Sequence, residues 1–195
     1  MVFRLALVGG LLLAASSAMA QSSIGGHARF SVTMGLVTQY LNGVNSENLL
    51  LAATSRRSRI AGDADLSASV DELLQRSEGD NNTNRLEMAS VVDSDAGGDV
   101  RSAVRVSSIV QASFGRGNMN ELILGSITGS RFGGDVDINV SIGNISQQNT
   151  GDDNGNFANI GSVVNSSVGG TTALNVSAGT IQQSNFGQQN TNLSL

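Results

Sequence analysis

Residues Asn120–Gly151 read NELILGSITGSRFGGDVDINVSIGNISQQNTG, and 36 residues later Asn156–Gly187 read NFANIGSVVNSSVGGTTALNVSAGTIQQSNFG. When the two stretches are aligned without a gap, 14 of the 32 positions are identical. The earlier copies Asn84–Gly115 and Asn48–Gly79 keep the same frame, and Ser22–Gly43 supplies a half copy. A tandem repeat of this length is typical of a fold in which each unit stacks on its neighbours.

Four columns of this alignment keep one residue type through all five copies, and an Asn column runs through every full copy. The columns are Ser22, Ser58, Ser94, Ser130, Ser166; Gly26, Gly62, Gly98, Gly134, Gly170; Gln39, Gln75, Gln111, Gln147, Gln183; Gly43, Gly79, Gly115, Gly151, Gly187; and Asn48, Asn84, Asn120, Asn156. Stacking in register would turn the Gln and Asn columns, and Asn139 over Asn175, into ladders of hydrogen-bonded amides. The glycines would occupy corners where a Cβ would clash or force the wrong φ.

The pattern inside each copy indicates strands. Val136–Ile142 alternates apolar and polar residues, as a half-buried strand does, and Gly133–Gly134 precedes it. Leu122–Leu124 is a second strand candidate, and the links at 80–83, 116–119 and 152–155 suit exposed turns. We therefore expect an all-β fold of tandem 36-residue repeats, stacked as a β-solenoid or an amyloid-like cross-β arrangement. The dry interior would hold the columns Val32, Val104, Val140, Val176 and Val37, Leu73, Ile109, Ile145, Ile181.

A local alternative concerns the second copy. Residues Ala68–Arg76, ASVDELLQR, have good helix propensity and could form an amphipathic helix, although the repeat register favours a strand. The early copies also carry most of the charge, since no Lys or Arg follows Arg131. We therefore expect the early copies to be less regular than the last two.

The N-terminus predicts export. Residues 1–20 combine Arg4, an apolar run and the small-x-small pattern Ala18-Met19-Ala20, which is the layout of a secretory signal peptide. The run is shorter than the roughly 20 apolar residues of a membrane-spanning helix, and no later segment approaches that length. We expect residues 21–195 to form one repeat domain, secreted or at the cell surface, without a transmembrane segment.

Composition argues against catalysis and cofactors. The chain has no Cys, no Pro and no Lys, so thiolate metal sites, Cys–His catalysis and Schiff-base chemistry lack their residues. A Ser-His-Asp triad would depend on His27, the one histidine, which is expected to be an exposed loop residue. The acidic stretch Asp93–Asp99 resembles the start of a calcium loop, but Val104 stands where the bidentate Glu belongs, so solvated turns are expected. The net charge of -5 gives no reason to expect nucleic acid. We expect no enzyme activity and no cofactor.

The two C-terminal copies resemble a known family. The segments Ile138–Asn149 and Ala173–Asn185, with their Asn-Val and Gln-Gln elements and the preceding Gly-Gly, are similar to the repeats of Fap-type functional amyloid subunits. The earlier copies match weakly, and the C-terminal Cys-x-x-Cys of the major subunits is missing. The resemblance implies passage through the periplasm and an outer-membrane export machinery, assembly into biofilm fibres with itself or related subunits, and no catalysis. The short links favour a small nucleating subunit.

Two functions remain open from the sequence. The first is a structural subunit or nucleator of an extracellular amyloid fibre, which the tandem register, the absence of Pro and the amide ladders favour. The second is a monomeric β-solenoid adhesin or binding module. Its recognition face would be formed by Arg56, Arg57, Arg59, Arg101 and Arg105.

Overall fold

A computed structural model of the chain describes residues 13–14, 19–20 and 23–195. Throughout these ranges the secondary structure is β, with no helix. All strand pairs are parallel, and from Met19 onward paired residues lie 36 positions apart, as Val104 does from Val140 and from Ala68. Leu13 and Ala14 pair with Leu50 and Leu51, which is an offset of 37. The chain is therefore a β-solenoid with one 36-residue coil per repeat, which confirms the fold class that the sequence predicts.

Each complete coil contributes one strand to each of four parallel sheets. The long sheet contains β4 (Ala28–Asn42), β8 (Ala64–Glu78), β12 (Val100–Phe114), β16 (Val136–Thr150) and β20 (Thr172–Phe186). A second sheet, called the six-residue sheet because its four central strands are six residues long, contains β1 (Leu13–Ala14), β5 (Glu47–Ala52), β9 (Thr83–Met88), β13 (Met119–Leu124), β17 (Gly155–Ile160) and β21 (Thr191–Ser194).

Two further sheets are built from two-residue strands that the sequence analysis did not separate. The first contains β2 (Met19–Ala20), β6 (Ser55–Arg56), β10 (Val91–Val92), β14 (Ile127–Thr128) and β18 (Val163–Val164). The second contains β3 (Ser23–Ile24), β7 (Arg59–Ile60), β11 (Asp95–Ala96), β15 (Arg131–Phe132) and β19 (Ser167–Val168). We number the coils one to five by their long strands, β4 to β20; each coil includes the two short strands before its long strand and the six-residue strand after it.

The long strands alternate inward and outward residues with one break. In β16, Val136, Ile138, Val140 and Ile142 are buried, Gly143 and Asn144 both lie on the outside, and burial resumes at Ile145. The buried positions therefore switch from even-numbered to odd-numbered residues within the strand. Gly143 lies at this break, where a Cβ would collide with the carbonyl oxygen of Ser107 in the coil before it.

The helical alternative for the second coil is wrong. Ala68–Arg76 lies inside the 15-residue strand β8, which has the same length as β12 and β16, so the early coils are as regular as the late ones. Parallel pairing with both neighbouring strands overrides the local helix propensity, because each backbone amide gains a partner and Ala68, Val70 and Leu73 reach the core.

One hydrophobic core runs along the stack. The columns expected in the interior are there: Val104, Val140, Leu73, Ile109 and Ile145 are all buried. The earliest and latest members of these columns are only partly buried or exposed, since they have one stacked neighbour instead of two.

The predicted signal peptide lies almost entirely outside the described residues. Its described pieces, Leu13–Ala14 and Met19–Ala20, pair in parallel with β5 and β6. Export therefore stays a prediction. In the part of the chain that the structure describes, no helix is long and apolar enough to cross a bilayer.

Candidate functional site

The invariant Gln column forms a continuous ladder inside the solenoid. Each Nε2 donates to the Oε1 of the Gln in the preceding coil, and the distances are 2.6 Å for Gln75 to Gln39, 2.7 Å for Gln111 to Gln75, 2.8 Å for Gln147 to Gln111 and 2.8 Å for Gln183 to Gln147. The three middle glutamines are fully buried. Each Oε1 in the ladder therefore depends on an identical residue one coil away for its Gln donor.

The same Gln side chains also tie two sheets together. Gln111 Nε2 lies 3.0 Å from the carbonyl oxygen of Glu121, across the interior from the long sheet to the six-residue sheet. Gln147 repeats this contact with Phe157 at 2.9 Å. Replacement of a buried Gln by an apolar residue would leave the neighbouring Gln amide groups without their ladder partners, which costs about 1–3 kcal/mol per group.

The Asn column forms a second ladder that runs in the opposite direction. Each Nδ2 donates to the Oδ1 of the Asn in the following coil, and the distances are 2.8 Å for Asn48 to Asn84, 2.9 Å for Asn84 to Asn120, 3.0 Å for Asn120 to Asn156 and 2.9 Å for Asn156 to Asn192. Asn192, which the repeat alignment did not include, continues the column. The two ladders therefore have opposite donor polarity along one stack.

Asn139 and Asn175 depart from the expected ladder. They are register neighbours on β16 and β20. Both side chains are exposed on the outer face, and Nδ2 of Asn139 donates to Oδ1 of Asp137 at 2.9 Å. An exposed Asn has water and neighbouring carboxylates as competing partners, so stacking alone does not impose the ladder.

Three further columns cap backbone amides, a role that their sequence pattern alone does not indicate. The Ser column accepts the backbone N–H of the preceding coil, as from Ser94 to Oγ of Ser130 at 3.1 Å. Asn82, Asn118, Asn154 and Asn190 do the same from the links, which were expected to be exposed turns, although the first three of these side chains are buried. Asp63, Asp99 and Asp135 accept from the following coil. The 36-residue spacing of these Asn and Asp residues is visible in the sequence and could have identified both columns.

The conserved glycines lie where the coils approach most closely. Gly79, Gly115, Gly151 and Gly187 have φ between 110° and 135°, and a Cβ on any of them would collide with the carbonyl oxygen of the glycine one coil earlier. A Cβ on Gly98, Gly134 or Gly170 would collide with the Asp side chain that caps the next amide. Around Gly26 and Gly43, in the first coil, no backbone of the described residues lies within 4 Å of an added Cβ.

Charges alternate in sign along two outer columns of the early coils, unlike the column of Asp63, Asp99 and Asp135. Arg29, Asp65, Arg101 and Asp137 follow one another in one column, with Asp65 lying 3.0 Å from Arg29 and 3.5 Å from Arg101. The column of Asp80, Arg116 and Asp152 alternates in the same way. This arrangement favours the native order of coils over stacks that place like charges together.

One carboxylate of the second coil is buried. Glu87 lies 3.3 Å from Arg56 and 3.5 Å from Arg85, and its Oε1 has no hydrogen-bond partner among the described residues. Burial raises the pKa of Glu87, and the two arginines oppose this shift only in part. In contrast, hydrogen bonds from the backbone and hydroxyl of Thr171 lower the pKa of the exposed Asp135.

The arginines proposed for an adhesin face do not share one face. Arg101 and Arg105 lie on the outer face of the long sheet, whereas Arg56, Arg57 and Arg59 lie on or between the two-residue strands. Arg56 and Arg101 are occupied by ion pairs with Glu87 and with Asp65 and Asp99.

The acidic groups form no metal cluster within the described ranges. Asp99 and Asp135 instead cap amides of the next coil, with backbone N–H groups 3.0 Å and 2.7 Å from their Oδ1 atoms. His27 is exposed, and its Nδ1 accepts the backbone N–H of Asp63 at 3.1 Å. Its position makes it the first member of the Asp column.

The fifth coil presents an uncovered face. Leu174, Val176 and Ile181 are 50%, 44% and 41% exposed, whereas their register partners Ile138, Val140 and Ile145 are at most 2% exposed. β20 is one edge of the long sheet, and β4 is the other. The face therefore combines a free strand edge with an opened section of the core.

Comparison with protein-family models, with curated proteins and with solved structures returns no match for this chain.

Proposed function

We propose that the chain is a structural subunit or nucleator of an extracellular, amyloid-like fibre of a biofilm or cell-surface matrix. The observation that carries this proposal is the uncovered face of the fifth coil, whose sequence pattern buries the same columns in the fourth coil. Free strand edges beside exposed apolar side chains are templates for another strand.

The amide ladders support the same function. Parallel strands in register, with Gln over Gln and Asn over Asn, are the arrangement that stabilises cross-β fibres. In this chain the ladders are already formed within one molecule, so a fibre would extend an existing pattern. The absence of Pro leaves every backbone amide available as a donor.

Fibre diffraction on the exported chain, incubated without denaturant, tests the proposal. Filaments with a meridional spacing near about 4.7–4.8 Å are the expected result. A chain that stays a monomer on size exclusion for days would contradict the proposal and favour the adhesin.

A matched pair of variants locates the assembling face. Val176→Asp puts a charge on the inward side of β20, whereas Ser177→Asp puts the same charge on the outward side one residue later. We expect V176D to stop filament formation and S177D to permit it. Equal filament yields from both variants would show that the fifth coil is not the assembling face.

A further inference from the structure

The faces of coil one and coil five differ in hydrogen-bonding character. On coil five, Oε1 of Gln183 accepts no hydrogen bond from the described residues, while Asn192 Nδ2 has only a 3.3 Å contact with the carbonyl oxygen of Gln183. On coil one, Asn48 Oδ1 accepts none from the described residues, and Gln39 Nε2 donates once, to the carbonyl oxygen of Leu49. One face thus offers a Gln acceptor and an Asn donor, and the other offers a Gln donor and an Asn acceptor.

These unmet groups are complementary because the two ladders have opposite polarity. If coil one of a second copy is placed on coil five in the 36-residue register, Gln39 can donate to Gln183 while Asn192 donates to Asn48. Both ladders then continue across the junction. Two coil-five faces placed together would set acceptor against acceptor at Gln183 and leave both Asn donors without a ladder partner.

The remaining columns fit the same junction. Val176 would meet Val32 and Ile181 would meet Val37, so apolar side chains cover apolar side chains. Arg29 would face Ala173, and His27 would face Thr171, so no like charges meet. Coil two or coil three could not take the place of coil one, because both of their long-strand edges are already paired within the chain.

We infer that the partner of the coil-five face is the coil-one face of a second copy of this chain, docked head to tail with β20 beside β4 in the 36-residue register. This inference rests on the proposed fibre function and specifies its interface. The predicted processing supports access, since Leu13–Ala14 pairs with β5 on the coil-one face and would leave with the signal peptide.

Cross-linking of single-cysteine variants tests the register, because the chain has no cysteine of its own. Thr33 and Ser177 lie on the outer face in one column, four strands apart within a molecule, or about 19 Å at the spacing of parallel strands. Across the inferred junction they become neighbours about 4.8 Å apart, within reach of a disulfide. T33C and S177C chains, each expressed with its leader and carrying tags of different mass, are mixed, assembled and oxidised.

We expect the mixed disulfide to exceed either homodimer by at least tenfold. Ser69→Cys replaces T33C in the matched control; it lies in the same column but is flanked by Thr33 and Arg105 of its own chain, so it should not link to S177C. Filaments that give mainly S177C homodimers, or that link S69C as well as T33C, would overturn the docking and leave the fibre function standing. A mixture that forms no filaments would overturn both.

Discussion

Ile145 in the fourth coil and Ile181 in the fifth are the same residue in the same column, yet one is buried and the other is substantially exposed. Their strands, β16 and β20, have the same length and the same pairing below them. The difference is that β16 has a further strand, β20, on its other side, whereas β20 is the edge strand. Burial in this fold is therefore a property of the stack, and a repeat sequence specifies a core position only together with a second coil.

Truncation of the isoleucines should give the largest difference between the two coils. Ile145→Ala opens a cavity in the core and should lower the free energy of unfolding by about 2–5 kcal/mol. Ile181→Ala removes atoms that are already partly hydrated, so we expect it to cost less than half as much in the monomer. Denaturant unfolding of monomeric protein measures both; equal losses would contradict the comparison.

The Gln ladder gives a second contrast. Gln111→Leu leaves Gln147 Nε2 without its Gln acceptor and Gln75 Oε1 without its donor, so it should destabilise the chain by at least about 1–3 kcal/mol. Gln183→Leu exposes the affected groups to water and should cost less in the monomer while slowing filament growth. Unfolding midpoints and thioflavin kinetics separate the two effects, and a Gln183→Leu chain that elongates at the normal rate would argue against a ladder across the junction.

Glycine substitutions should destabilise the fourth and fifth coils equally, because the added Cβ collides with the preceding coil, which both of them have. Gly151→Ala and Gly187→Ala each force a positive φ on a residue with a Cβ and push that Cβ into a glycine carbonyl oxygen. We expect similar losses, of about 1–3 kcal/mol each. Gly155→Ala is the control, since no atom lies within 4 Å of an added Cβ there. If only Gly151→Ala lowered the free energy of unfolding, β20 would not pack on its preceding coil as β16 does.

The smallest effect concerns the charged second coil. Because burial raises the pKa of Glu87, the folded chain binds more protons than the unfolded chain between the unfolded pKa, about 4.3, and the raised folded value. Stability should therefore fall as pH rises through this window and level off above it. Glu87→Gln should flatten this dependence in thermal unfolding measured from pH 4 to pH 8. An unchanged slope in E87Q would assign the dependence to other groups.

The sequence predicts the architecture well, because a gap-free 36-residue register translates directly into parallel pairing. The Gln, Asn and Gly columns could be located for the same reason. The short strands such as β10 and β11 could not, since two residues carry no periodicity. The alternation of Val136–Ile142 places Asn139 on the outer face, but its hydrogen bond to Asp137 in place of a ladder contact is a feature of the packed coil.

Hydrogen exchange on β16 and β20 tests the central claim most directly. In the monomer, amides of Thr172–Phe186 should exchange faster than those of Val136–Thr150, because β20 lacks a strand and a core layer above it. In assembled protein the two strands should become equally protected, since another coil then covers β20. If β20 stays less protected than β16 after assembly, or if the two strands already match in the monomer, the fifth coil is not completed by stacking and the account fails.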